Sequence, residues 1–273
     1  MNYLTLDQTH AALLDILIEF DRICRENHLK YSLAYGSLLG AIRHKGFIPW
    51  DDDVDVVMPR PDYEKFYELI HSGKVTLNPH FFLSEDRGKK AVYPFLKMMD
   101  DRYSLKCTSR IEVPYLYVDI FPLDGMPPLS KRKLKRLHRR ELYYNGIVSI
   151  CKWYVPDRWW GHLLRIFGFW FYLLGMCYGQ ARAITRFRKL LLKYPYEEHE
   201  NVDCRAWGWT VDTVPRAFFD SFEEAEFEGK KFCVISAWHE QLTVRYGDYM
   251  TPPPPKKRCS DHSFKVYRNN RPD

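Results

Sequence analysis

Apolar positions recur at helical spacing early in the chain and then shorten to strand-like runs. Leu13, Leu17, Phe20 and Cys24 fall at i, i+4, i+7 and i+11, one face of a helix over residues 5–27. Thr5 and Gln8 stand at capping-box spacing at its start. Residues 31–35 read as a short strand ending at Gly36-Ser37, and residues 38–44 as a helix broken at Gly46. A strand is predicted over 53–58. Pro59 and Pro61 close it, and a helix opens at Pro61-Asp62 and runs to about His71. Short strands are expected at 81–83, 95–99 and 115–121. Beyond Pro127-Pro128 the pattern turns to long helices over 131–194. This order predicts an α+β chain, a core with a short mixed β-sheet flanked by helices, plus a helical insertion.

The length of 273 residues fits one domain. We divide it into a core (1–126), a helical insertion (127–200) and a C-terminal part (201–273). Apolar residues at 46% and charged residues at 28% exclude wholesale disorder. A net charge of +6 permits acidic partners without naming one. Seven cysteines without C-x-x-C spacing favour reduced thiols and a cytoplasmic protein. Asp7 and Asp15 interrupt the stretch where a signal peptide would be apolar, so none is expected.

The most informative stretch is Asp51-Asp52-Asp53-Val54-Asp55-Val56-Val57. Its β-branched residues favour a strand. Alternate side chains share a face there, so Asp53 and Asp55 point together, their Cα atoms about 6.6 Å apart. Two carboxylates so placed suit a hard divalent cation, which offsets their repulsion. A solvated acidic turn would explain the aspartates but not the valines. A calcium loop from Asp51 lacks glycine at its sixth position and glutamate at its twelfth. A D-D-x-x-D diphosphate motif belongs on a helix, which Pro49 and the valines oppose.

Two further pieces join this strand. Gly36-Ser37 stands at a helix start, where free N–H groups and the dipole favour phosphate. Asp119 alternates with Val118 and Ile120. A carboxylate in such a run needs a partner such as a metal, unless it faces solvent from an edge strand. Asp124, just past Pro122, reads as a turn residue. A phosphate cradle beside a two-carboxylate metal site is what metal-assisted phosphoryl or nucleotidyl transfer requires.

The run from Gly36 through Arg43, His44, Lys45 and Gly46 to Asp55 closely resembles the signature of the LicD family. That family includes bacterial phosphorylcholine transferases and is related to fukutin and fukutin-related protein. Residues 118–124 look like its second block, and Tyr246-Gly247-Asp248-Tyr249-Met250 like its C-terminal block. The resemblance implies a nucleotidyltransferase-like fold. It also implies transfer of a phosphorylated alcohol, phosphocholine foremost, from a CDP-activated donor such as CDP-choline to a glycan hydroxyl. The glycan would be a lipopolysaccharide, teichoic acid or capsule precursor, free or lipid-linked. By the same resemblance Gly36 and Ser37 contact donor phosphates, Asp53 and Asp55 bind magnesium (manganese being the alternative ion), and Asp119 is the third acid and a further ligand of the metal. Asp119 would orient or deprotonate the acceptor hydroxyl while CMP leaves.

Two other functions stay open at this point. One is nucleotidyl transfer from an NTP with release of pyrophosphate. The other is a non-catalytic, membrane-associated assembly protein, against which three convergent carboxylates argue.

Arg43 and Lys97 are further candidates for donor phosphate, with His44 and Lys45 behind them. Arg258 and His262 could close the site, and Trp207 and Trp209 could stack on a base or sugar, although core packing is the first reading of the two. Residues 131–140 hold seven Lys/Arg. No nucleic-acid motif accompanies them, so an anionic membrane surface is the rival to a solvated helix face. The aromatic-rich segment 159–179 contains an uninterrupted run of 14 residues, short of the ~20 that a span needs. A core helix is the first reading of this segment and peripheral contact on the inner face of the membrane the second, both in preference to a span.

Overall fold

The computed structural model describes residues 2–107, 114–150, 173, 177–206, 213–259 and 264–269. The first helix, α1 (Leu6–Glu26), carries the expected capping box, with the Thr5 hydroxyl accepting from the Gln8 N–H. Its apolar stripe of Leu13, Leu17, Phe20 and Cys24 is fully buried. β1 (Ser32–Leu33) leads into α2 (Tyr35–His44), which starts three residues before the expected position and so takes Gly36 and Ser37 into its first turn. β2 (Asp55–Pro59) and α3 (Arg60–His71) follow, then β3 (Phe81–Leu83), β4 (Leu96–Cys107) and β5 (Tyr115–Met126).

The sheet runs β1-β2-β5-β4-β10, where β10 is Phe264–Arg268. β3 pairs with β4. β6 (Asn201–Asp203) pairs with the end of β5 and with β7 (Val214–Pro215). β2 and β5 are parallel and the other pairs antiparallel, so the sheet is mixed and the chain is α+β as expected.

Two apolar layers cover the sheet. Val54, Val56, Val118 and Ile120 pack with α1 and α3. Val57, Phe121 and Leu123 pack with α4 (Lys131–Ile150) and α5 (Gln180–Leu191). Those two helices lie between β5 and β6 in the chain. Glu141 of α4 bonds Arg205 just after β6, at 2.7 Å and with both side chains buried, which ties the helix down. Among the described residues no helix is long and apolar enough to cross a membrane. Most of segment 159–179 lies outside the described residues.

A hairpin that the sequence reading did not foresee supports the site. β8 (Phe222–Phe227) and β9 (Lys230–Ile235) join through Glu228 and Gly229, both at positive φ, the two-residue loop that suits right-twisted strands. The Glu228 N–H donates to the Lys45 carbonyl, and its carboxylate accepts from the Phe47 N–H at 3.0 Å. A side chain on Gly46 would collide with that carboxylate. The hairpin thus clips the segment that delivers the aspartates. α6 (Trp238–Tyr246) follows it.

Candidate active site

The acids reach one place by two routes. Asp55 opens β2, and the parallel register sets it beside Asp119 of β5. The antiparallel register of β4 sets Lys97 beside Asp119 on the other side. Asp55, Asp119 and Lys97 therefore form a row across three neighbouring strands. Asp51, Asp52 and Asp53 sit in the loop just before β2, each offering a carboxylate oxygen within 4.8 Å of the others. Asp53 precedes the strand, which begins two residues later than expected. It shares a cleft with Asp55, but the strand pleat is not the cause.

That cleft encloses about 420 Å³. Asp51, Asp53, Asp55 and Asp119 line it, together with Gly36, Arg245 and Lys257. Burial pushes the Asp55 carboxyl well above the usual range, and Asp53, Asp119 and Asp51 push the same way, with Lys97 opposing. Such a group is costly to ionise without a nearby cation.

Each part of the cleft has a local cause. Tyr35 has φ of 49°, left-handed backbone that turns the chain from β1 into α2. Strain of this kind costs about 1–3 kcal/mol and collects at functional sites. A side chain on Gly36 would meet the Asp51 carboxylate at 2.5 Å, so only glycine lets α2 approach the acidic loop this closely. The Ser37 hydroxyl accepts from the Asp55 N–H at 2.9 Å and fixes the start of β2. His10 bonds the Asp51 carbonyl at 2.7 Å and stacks on Phe47.

The expected cations fall in different places. Lys97 is 1% exposed. Its ammonium bonds Asp119 at 2.5 Å and lies 3.4 Å from the Tyr117 ring centroid and 4.6 Å from that of Tyr93. Asp119 is thus its close partner. Arg43, at the far end of α2, donates to the Tyr249 carbonyl at 2.7 Å and to His44. It fastens the C-terminal block to α2, and it is not among the residues lining the cleft. Lys45 pairs with Glu226 at 3.5 Å. Arg258 lies over Trp50, a residue of the cleft wall, at 5.5 Å. His262, Trp207 and Trp209 lie outside the described residues.

Asp124 corrects the turn expectation. It lies within β5, 1% exposed, and accepts two bonds from the Arg60 guanidinium at 2.6 and 2.7 Å. Pro122 did not end the strand. There β5 pairs with β2 through Met58 and Pro59, and it continues to Met126 with residues 124–126 paired to β6.

The sequence reading passed over two basic residues of the cleft, Lys257 and Arg245. The Arg245 guanidinium lies 4.2 Å from the centroid of the Tyr35 ring. The only signal for Arg245 was its place one residue before the C-terminal block. The cleft therefore brings carboxylates for a hard cation together with Arg245 and Lys257 for an anion. The residues fit a divalent cation of the magnesium class, since the donors are all oxygen and carry excess negative charge around Asp55.

An α+β fold whose acid-rich cleft also presents basic residues suits a protein that handles phosphate esters. Residues 28–145 match the family described as LicD/FKTN/FKRP, nucleotidyltransferase domain. The lipopolysaccharide cholinephosphotransferase LicD of Haemophilus influenzae is 31% identical over 98% of this chain and 99% of its own length. The chain belongs to the LicD family. Two uncharacterized proteins match shorter stretches. That of Rickettsia typhi is 31% identical over 25% of this chain and 22% of its own, and that of Rickettsia prowazekii is 37% identical over 22% of each.

Proposed function

We propose that this enzyme transfers phosphocholine, or a closely similar alcohol phosphate, from a CDP-activated donor to a hydroxyl of a cell-envelope glycan, with magnesium. The observation that carries the reading is the strand register that sets Asp55 beside Asp119 in the cleft shared by Asp51, Asp53 and Arg245. The near full-length likeness to a lipopolysaccharide cholinephosphotransferase supports the choice of phosphocholine and of a lipopolysaccharide-type acceptor. The nucleotidyltransferase-like core is proposed on the description of the matching family.

Asp53 and Asp55 would hold the ion, with Asp51 and Asp52 beside them. When bound, magnesium offsets charge on the phosphates and on the leaving CMP. Arg245 and Lys257 would hold the donor's diphosphate oxygens, and the first turn of α2 at Gly36 and Ser37 would add backbone N–H groups. Asp119, kept in place by Lys97, would orient the acceptor hydroxyl and take its proton. The hydroxyl oxygen forms the new bond to the distal phosphorus as the bond to CMP breaks.

The test is incubation of the protein with CDP-choline, magnesium and lipopolysaccharide lacking phosphocholine. CMP should appear together with choline phosphate on the glycan. Pyrophosphate from CTP, with no CMP from CDP-choline, would replace this reading by nucleotidyl transfer.

A further inference from the structure

The N-terminal half of α4 carries seven lysines and arginines in residues 131–140, and all seven are exposed. Among the described residues none of them takes part in an ion pair, and the pairs that involve α4 go to Glu141. At about 100° per residue the seven sweep roughly 200° of the helix surface. Leu134, Leu137, Glu141, Tyr144 and Val148 fall on the remaining arc, and each is buried or half-buried. Packing on that arc, with the Glu141–Arg205 bond, fixes the helix so that its basic arc faces outward. Tyr143 lies within the basic arc and is 61% exposed. The neighbouring α5 turns Arg182, Arg186 and Lys189 to the exterior on its own outer face.

We infer that this face docks the enzyme on an anionic lipid bilayer. The inference rests on the proposed function only in that an envelope-glycan acceptor would be met at a membrane. A density of exposed cations this high, with no ion-pair partner among the described residues, is complementary to a polyanionic surface. The arc is exposed along its length and no described pocket is lined by it, which suits a plane of headgroups. A polynucleotide strand is instead held in a groove that tracks its backbone. A tyrosine among the cations suits the headgroup layer, where its ring and hydroxyl are both satisfied. Attraction to anionic headgroups accumulates with each Lys/Arg near the surface and is screened by salt.

The test is sedimentation of the full chain with phosphatidylcholine vesicles, with and without phosphatidylglycerol. Binding should require phosphatidylglycerol and be lost in about 1 M salt, where the Debye length falls to about 3 Å. The variant Lys131→Gln/Arg132→Gln/Lys135→Gln/Arg136→Gln should bind about tenfold or more weakly, yet release CMP from CDP-choline with a soluble acceptor as the parent does. The inference is overturned if vesicles with phosphatidylglycerol are ignored at low salt, if pure phosphatidylcholine binds equally, or if the variant binds like the parent. Retention on duplex DNA with vesicles ignored would overturn it in favour of a nucleic acid. Sedimentation uses no donor, so its outcome is independent of whether CMP release is found.

Discussion

Strand β5 carries two buried aspartates five positions apart, and they lead different lives. Asp124 sits in a closed, balanced network. Arg60 grips it with two bonds, and Arg60 and Arg188 meet Glu64. Arg87 joins Glu64 to Asp86, which also accepts from the Tyr63 hydroxyl. Three acids meet three arginines. Asp119 lies in an open cleft where three aspartates raise the Asp55 carboxyl and one lysine opposes them. The same residue type on the same strand is structural where the charges cancel. Where they do not cancel, it faces a cleft with an excess of carboxylates.

The largest expected effect breaks the balanced side. Arg60→Ala would leave Asp124 buried without its partner and cost about 3–5 kcal/mol in a denaturant melt. The paired change Arg60→Met/Asp124→Leu should recover most of that loss, because no lone charge then remains buried. If Arg60→Ala melts like the parent, the network does not hold the fold.

On the unbalanced side the effect should be on turnover. Asp55→Asn is expected to lower CMP release by about 10²–10³-fold. Without metal its melting temperature should hold or rise, because burial and neighbouring acids already disfavour the charged form of Asp55. A large fall in metal-free stability would make Asp55 structural like Asp124. Arg245→Ala should lower kcat/KM for the donor by about 10–100-fold and leave the melt little changed. Equal loss in weak CMP binding, measured by titration without acceptor, would show that the guanidinium meets the donor itself.

The smallest effect concerns an intermediate case. Asp203 of β6 is buried, accepts from the Thr213 hydroxyl at 3.0 Å, and among the described residues its second oxygen has no hydrogen-bond partner. Burial raises its pKa from 3.8 to about 7. The folded state then holds a proton that the unfolded chain releases, so stability falls as pH rises from 3.8 to about 7. Asp203→Asn should flatten that slope and stabilise the protein at pH 8 by about 1–2 kcal/mol. An unchanged slope in urea melts across this range would refute the assignment.

Local pattern made α1, β3 and α3 legible in the sequence: a capped apolar stripe, a short apolar run and a proline-led start. The hairpin at 222–235 was missed because its runs do not alternate cleanly, and the Glu228-Gly229 pair between them was its one turn signal. The extension of β5 past Pro122 left no local signal, since it depends on which strands flank it. Lys97 and Arg43 could be picked out as cations, but not their partners. Lys97 bonds Asp119 through strand register, and Arg43 reaches residue 249 from 206 positions away.

The sequence alone determined that three aspartates stand in a row before a β-branched strand, that a Gly-Ser pair precedes them at a helix start, and that these blocks resemble the LicD family. Local spacing and residue chemistry suffice for that. Tertiary structure decided which acid stands next to which. The parallel pairing of β2 with β5 sets Asp55 against Asp119, 64 positions apart, and the pairing of β4 adds Lys97. It also put Arg245 into the cleft and closed Asp124 away from it. Charge balance is a sum over neighbours in space. A chain that lists its charges in order does not disclose that sum until the strands are paired.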